Sequence, residues 1–302
     1  MPHAAGETWT TRQLLAWIVK ALAERRIDSP RICAELLISH VLGCDRLHLY
    51  MHADRPASPG ERERLRTLVS RALAHEPVQY LVGESWFFSL PFSVDARVLI
   101  PRPSTETIVE HVIRAAKHDP RYGEEGPLIA DICTGSGCVA VSLLVNLPNA
   151  RAIATDISQD ALDVARANAA RHEVDARIDF RQGDLLAPLI SSPNSSFDVV
   201  LSNPPYIPDH EWEAPGMVGR NVKGREPEIA LRGGPDGLRF ITPLINDAPM
   251  LLRPGGTLMV EVATSTADAV LALARAQPLL TGAAILPDFE GLPRVLIAHR
   301  AG

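Results

Sequence analysis

From about Thr8 to Glu76 apolar residues recur at spacings of three and four: Leu14, Leu15, Ile18 and Leu22, then Ala34, Leu37, Ile38, Val41 and Leu42, then Leu65, Leu68, Val69 and Leu73. That period is helical and predicts three or more short helices packed on one another. Asp28-Ser29-Pro30 supplies a helix start, while Gly43 and the stretch from Pro56 to Gly60 are breaks. Between Val78 and Val98 the pattern becomes aromatic and alternating (Trp86, Phe87, Phe88, Leu90, Phe92, Val94), which predicts a two-stranded connector. Pro101 and Pro103 then stiffen the chain ahead of Ser104 or Thr105, either of which can cap a helix running to about His118. A helix N-terminus with Arg102 beside it is a place for a carboxylate.

From Leu128 onward strand and helix patterns alternate. Leu128 to Cys133 is a continuous apolar strand, followed by a glycine turn and the buried helix face Val139 to Leu144. Arg151 to Thr155, Ile178 to Arg181 and Phe197 to Ser202 read as further strands, with a helix from Ala161 to Arg171. A helix interrupted by Pro243 and Pro249 spans Leu238 to Leu252, and strands follow at Gly256 to Val262, Gly282 to Leu286 and Arg294 to His299. Such alternation specifies an α/β fold with a parallel, doubly wound sheet. Three parts are expected: a helical N-terminal domain over 1–77, a β-hairpin connector over 78–100 and a catalytic domain over 101–302.

Composition narrows the function. A 302-residue chain with 46% hydrophobic and 22% charged residues is ordinary globular protein. A net charge of -6 and a pI near 5.9 argue against a nucleic-acid binder, which needs a clustered Lys/Arg face. Cys33, Cys44, Cys133 and Cys138 fit neither a metal-ligand spacing nor a secreted disulfide framework, so they read as reduced cytoplasmic thiols and no metal is expected. No apolar run approaches the ~20 residues a membrane span needs, and the start MPHAAGETWT has no signal-peptide core.

Two stretches carry candidate chemistry. Gly135-Ser136-Gly137-Cys138-Val139-Ala140 satisfies G-x-G-x-x-A, and Asp156 stands where a ribose-binding carboxylate belongs, which a nicotinamide cofactor would also satisfy. Asp131, placed to meet a cationic amine, and Asp184, placed to accept from an exocyclic adenine amine, tilt the choice toward S-adenosylmethionine. The second stretch, Asn203-Pro204-Pro205-Tyr206, follows a buried strand, at whose carboxyl end ligands of parallel sheets sit. Two prolines fix φ and remove two donors, leaving the carbonyls of Asn203 and Pro204 to accept from an incoming NH2 group. Asn203 adds a side-chain acceptor and donor, and Tyr206 a flat face for a planar amide. None of these is the His, Tyr or Lys that hydride transfer employs, so the site reads as one for nitrogen methylation.

Leu99-Ile100-Pro101-Arg102-Pro103 with Thr105-Glu106, Asp131-Ile132-Cys133-Thr134-Gly135-Ser136-Gly137, Asn203-Pro204-Pro205-Tyr206, and Glu226-Pro227 leading to Ala230-Leu231-Arg232-Gly233-Gly234-Pro235-Asp236-Gly237-Leu238 closely resemble the HemK/PrmC family, almost end to end. The resemblance implies a class I S-adenosylmethionine-dependent methyltransferase with a Rossmann-like sheet and a substrate-recognising helical N-terminal domain. It implies methylation of the side-chain amide nitrogen (N5) of the glutamine in the Gly-Gly-Gln motif of peptide chain release factors, leaving S-adenosylhomocysteine. By this likeness Cys133, Thr134, Gly135, Ser136 and Gly137 line the methionine part of the cofactor, Asp156 holds the ribose, and Asp184 or Leu185 borders the adenine. Asn203, Pro204, Pro205 and Tyr206 bind the substrate glutamine, with Asn203, Pro204 and Tyr206 carrying the catalysis. A cytoplasmic monomer without membrane or nucleic-acid partners is expected.

Two features depart from that pattern. Cys133 replaces the first glycine of the usual D-L-G-T-G run, as in the sister PrmB enzymes that methylate a glutamine of a large-subunit ribosomal protein. The segment Met217 to Arg225 fits neither group. The Ile-Pro-Arg-Pro-x-Thr-Glu segment and Asp288 to Val295 favour the release-factor enzymes. Adenine-N6 DNA methylation uses similar logic on a flipped base but would need a basic groove, and a silent cofactor-binding scaffold is the alternative of another class.

Overall fold

A computed structural model describes residues 9–118, 125–190 and 196–302; the first eight residues of the expected N-terminal domain lie outside the described residues. Contacts divide the chain into two compact units, Met1–Glu84 with Arg220–Arg225, and Ser85–Gly219 with Glu226–Gly302.

The first unit is helical: α1 (Thr11–Glu24), α2 (Pro30–Leu42), α3 (Arg46–Met51), α4 (Pro59–Leu73) and α5 (Val78–Val82). Local sequence sets these boundaries. Thr10 with Gln13, and Ser58 with Glu61, form reciprocal capping boxes, Pro30 and Pro59 sit in first turns, and Gly43 ends α2 in the left-handed conformation. The residues at helical spacing are the ones buried, Leu14, Ile18, Leu22, Leu37, Ile38 and Leu65 forming the centre of a separate core. Fully buried Glu35 is balanced by Arg31, Arg46 and Tyr50, whose hydrogen bonds draw its carboxyl below the usual range against the opposing effect of burial. Val78–Val82 is helical where an extended connector is expected, so the hairpin is confined to β1 (Glu84–Phe87) and β2 (Leu90–Ser93). The segment 217–225, which fits no pattern in sequence, contributes its Arg220–Arg225 end to this unit; Arg225 Nη2 donates to the Ala74 carbonyl at 2.7 Å.

The second unit is built on seven strands: β3 (Leu128–Ile132), β4 (Arg151–Asp156), β5 (Ile178–Gln182), β6 (Phe197–Ser202), β7 (Leu252–Glu261), β8 (Leu280–Pro287) and β9 (Pro293–Arg300). Their order is β5-β4-β3-β6-β7-β9-β8; the first five run parallel, and β9 pairs antiparallel with both β7 and β8. The reversal at β9 closes the sheet with a hairpin and leaves a switch point between β3 and β6, where chain direction away from the centre changes sides. The helices around it are α6 (Glu106–His118), α7 (Cys138–Asn146), α8 (Gln159–Arg171), the short α9 (Ala187–Ile190) and α10 (Asp209–Glu213), α11 (Ile241–Leu251) and α12 (Ala267–Ala276). They cover the sheet as two cores, one gathering α6 and α7, the other α11 and α12. Every residue of β6 is buried, as its unbroken apolar run requires for a central parallel strand. Strand β7 begins at Leu252 rather than Gly256, because the Pro-Gly-Gly stretch enters the ladder through a register shift opposite Phe197 and Val199.

Candidate active site

At the carboxyl ends of β3, β4 and β6 the second unit encloses a cavity of about 580 Å³, and every residue lining it belongs to that unit. Asp131, Cys133, Thr134, Gly135 and Ser136 line it from the first strand and its turn, Asp156, Asp184 and Leu185 from the second and third strand ends, and Asn203 and Pro205 from β6. Parallel strands with fixed register bring these residues together: Asp131 lies level with Leu201, and Ile132 with both Thr155 and Ser202. Gly137, Pro204 and Tyr206 do not line the cavity.

The glycine turn is organised around two carboxylates. Asp131 is buried and accepts from Thr134 Oγ1 at 2.7 Å and the Ala140 amide at 3.2 Å, and burial pushes its carboxyl up to about 7. Asp156 accepts from the Gly135 amide through Oδ2 and from the Ser158 amide through Oδ1, both at 2.9 Å, with burial raising its carboxyl. Each Asp156 oxygen therefore keeps a lone-pair direction for another donor. Cys133 adopts φ 60°, a left-handed conformation that explains why a glycine suits this position. Its thiol is pushed up by burial beside Asp156, so it stays protonated and unreactive. The third strand end is tied in by the Gly183 amide donating to the Asp156 carbonyl at 2.9 Å and Thr155 Oγ1 donating to the Leu185 carbonyl at 3.0 Å.

The Asn-Pro-Pro-Tyr segment is held from the outside. The Ile207 amide donates to the Leu231 carbonyl at 2.9 Å and the Gly233 amide to the Ile207 carbonyl at 2.8 Å. A Cβ on Gly237 would stand 2.6 Å from the Tyr206 carbonyl oxygen, and that glycine has φ 77°, so only glycine permits this approach. The buried Glu226 accepts from the Ile100 amide at 3.0 Å and from Arg102 Nη2, so the carboxylate expected beside Arg102 is the chain's own.

Glu261, unremarked for chemistry in the sequence, meets Asn203 through Thr105 and bonds Ser104 and Tyr206 directly. Asn203 Nδ2 donates to Thr105 Oγ1 at 3.1 Å, Thr105 Oγ1 donates to Glu261 Oε2 at 2.6 Å, and Glu261 Oε1 accepts from Ser104 Oγ and the Tyr206 hydroxyl, each at 3.1 Å. Glu261 is fully buried, and burial raises its carboxyl while Thr105, Ser104 and Tyr206 oppose that rise. Ser104 and Thr105 thus bind a carboxylate instead of capping α6; Pro103–Thr105 form a 3-10 turn before it. Tyr206 packs its ring against the sheet core, and its hydroxyl is pushed up by burial and the neighbouring Glu261. The sequence signal for Glu261 was available: an acidic residue ends the apolar run Leu258-Met259-Val260 at the carboxyl end of its strand, as Asp156 ends β4.

The space against the turn suits an adenosine-type ligand with a positively charged end. Where a Cβ would stand on Gly135 there is no atom within 4 Å, so a ligand can approach the backbone there. The acidic acceptor set of Asp131, Asp156 and Asp184 suits hydroxyls and amines, not phosphates. Among the described residues no group of His, Cys, Asp or Glu is arranged to hold a metal, and no helix is long and apolar enough to cross a membrane.

Comparison with known proteins agrees with this geometry. The family model described as the PrmC N-terminal domain matches residues 13–83, and the one described as a methyltransferase domain matches residues 129–215. A release factor glutamine methyltransferase of Chlorobaculum tepidum is 42% identical over 257 residues, spanning 85% of this chain and 86% of that one. Another protein of that name, from Geobacter sulfurreducens, is 41% identical and spans 88% of this chain and 89% of that one. Among solved structures, the METTL16 methyltransferase domain superposes with a TM-score of 0.51 at 20% identity, over 70% of this chain and 89% of that one, a likeness of fold.

Proposed function

The chain belongs to the release factor glutamine methyltransferase family, and we propose that it methylates the side-chain amide nitrogen of the glutamine in the Gly-Gly-Gln motif of a peptide chain release factor. The observation that carries this reading is the Asn203 carboxamide at the end of β6, which lines the cavity and is held by its nitrogen on Thr105 Oγ1, so that its oxygen is left for the substrate. Family and fold make S-adenosylmethionine the methyl donor, and the acidic, open-sided turn fits it. Asp131 would meet its amine, Cys133 to Gly137 its methionine chain, Asp156 its ribose, and Asp184 or Leu185 its adenine. Bound there, it supplies a methyl group on a positively charged sulfur.

The residues of the chain do the rest. An amide nitrogen is a poor nucleophile because its lone pair is shared with the carbonyl. Asn203, which lines the cavity, and Pro204, next to it in the chain though outside that lining, are assigned to accept its two N–H groups through Oδ1 and the backbone carbonyl, which orients the nitrogen and concentrates that lone pair toward the methyl group. Pro204 and Pro205 have no amide N–H of their own to compete for these acceptors. The alkylated nitrogen is strongly acidic and gives up its proton after transfer, so no base is needed beforehand. The second Nδ2 hydrogen of Asn203 stays available to the substrate carbonyl. We assign recognition of the folded release factor to the helical unit, which exposes Leu47 and Met51 on α3, and we place the protein in the cytoplasm as a monomer.

Cys133 keeps a second substrate in view, a glutamine of a large-subunit ribosomal protein. Incubating the protein with labelled S-adenosylmethionine and either an unmodified release factor or unmodified ribosomes, followed by peptide mass spectrometry, separates the two. Label on the Gly-Gly-Gln glutamine is expected; label confined to the ribosomal protein would overturn the assignment.

A further inference from the structure

A fully buried carboxylate is costly unless it has a task. The residues before Glu261 on β7, Thr257 to Val260, are all buried, so packing alone would favour an apolar side chain there. Its hydrogen-bond partners, Ser104, Thr105 and Tyr206, are three hydroxyls that come from either side of the Asn203 strand end.

Proton count gives the task. The three hydroxyls directed at Glu261 oppose the rise that burial imposes and hold it as the carboxylate; a carboxylate only accepts, and a threonine hydroxyl has one proton. At 2.6 Å the Thr105 hydroxyl donates its one hydrogen bond to Glu261 Oε2, leaving Thr105 Oγ1 with lone pairs alone toward Asn203. The Asn203 group facing it at 3.1 Å must then be the NH2, and the carboxamide is locked with Oδ1 on its other side. Reversed, the same side chain would offer a donor where the substrate nitrogen needs an acceptor.

We propose that Glu261 is the positioning residue of this site, a buried carboxylate that acts through Thr105 to fix which face of the Asn203 carboxamide meets the substrate amide. The proposal rests on Asn203 being the amide clamp. Glu261→Gln introduces a donor that can bond Thr105 Oγ1, which frees the Thr105 proton to turn toward Asn203 and permits the reversed carboxamide. Thr105→Val keeps the shape and removes the link, whereas Thr105→Ser keeps the hydroxyl.

Two readouts on the full-length protein test this. Turnover on a release factor should fall about 10²-fold in Glu261→Gln and Thr105→Val, as for loss of one preorganised polar contact. The binding of S-adenosylmethionine, followed by calorimetry, should hold in both, and Thr105→Ser should recover most of the turnover. Independently of turnover, the side-chain 15N resonance of Asn203, identified by its loss in Asn203→Ala, should move in Glu261→Gln and Thr105→Val and stay in place in Thr105→Ser. If Glu261→Gln does not fold, the Thr105 pair decides. An unmoved resonance in Thr105→Val, or equal turnover in the Val and Ser variants, overturns the relay. A wild-type protein that labels no release factor fails the functional reading instead, and the resonance arm then decides the relay alone.

Discussion

Replacing Asp156 by alanine should weaken S-adenosylmethionine binding by a predictable amount. Both carboxylate oxygens already accept one backbone N–H, Oδ2 from Gly135 and Oδ1 from Ser158, each at 2.9 Å. The side chain is therefore fixed before a ligand arrives, and its remaining lone pairs are those to which the proposed binding mode assigns the two ribose hydroxyls. Hydrogen bonds to a charged acceptor contribute roughly 1.5 to 3 kcal/mol net, because the hydroxyls regain water when the acceptor is lost. At 1.4 kcal/mol per tenfold, that is a loss of roughly 10- to 150-fold in affinity. The free protein pays separately, since two amides lose their acceptor at roughly 1 kcal/mol each. Asp156→Asn should not rescue binding: its NH2 must face either the Gly135 or the Ser158 N–H, donor against donor. Calorimetric titration of the three proteins, with denaturant unfolding alongside, measures both effects. An unchanged dissociation constant in Asp156→Ala would refute the ribose assignment, and a rescue by asparagine would refute the claim that both oxygens are committed.

Other outcomes follow from single residues. Asp131 is held near 7 against 3.8 in an unfolded chain, so between those values the folded protein keeps a proton that the unfolded chain has released. Its contribution to stability is complete below about pH 4 and is lost as pH rises through about 7. A cationic amine needs the ionised form, so cofactor affinity should rise by up to about tenfold per pH unit on approaching pH 7, a slope that Asp131→Asn should flatten in calorimetry. Asn203→Ala should lower turnover by ~10²- to 10³-fold with cofactor affinity retained. Asn203→Asp should be no better, because it sets an oxygen against Thr105 Oγ1, whose proton is committed to Glu261; wild-type turnover in either would remove Asn203 from the site. Cys133, at φ 60°, should accept glycine at little cost, whereas Cys133→Val should destabilise by roughly 1 to 3 kcal/mol in denaturant unfolding.

Legibility in the sequence followed physical range. The helices of the first unit and the strands of the second were readable because side-chain period and capping act within a few residues, as at Thr10 with Gln13 and along Phe197 to Ser202. Strand-end positions were readable too, since a parallel sheet gathers its carboxyl ends at one edge: Asp131, Asp156, Asp184 and Asn203 all reach one cavity from four strands. What periodicity leaves open is which strand lies beside which. Thr105 and Glu261 are 156 residues apart, and Asn203 and Thr105 are 98 apart. Only the placement of β6 next to β7, with the Pro103–Thr105 turn over both ends, turns two hydroxyls away from helix capping and onto a carboxylate. The same holds for Glu226 on Arg102 and for the joining of 220–225 to the helical unit. The chemistry offered at Asn203 was fixed by its residue type, but the direction in which its amide points was decided by a proton on a residue that only folding brings near.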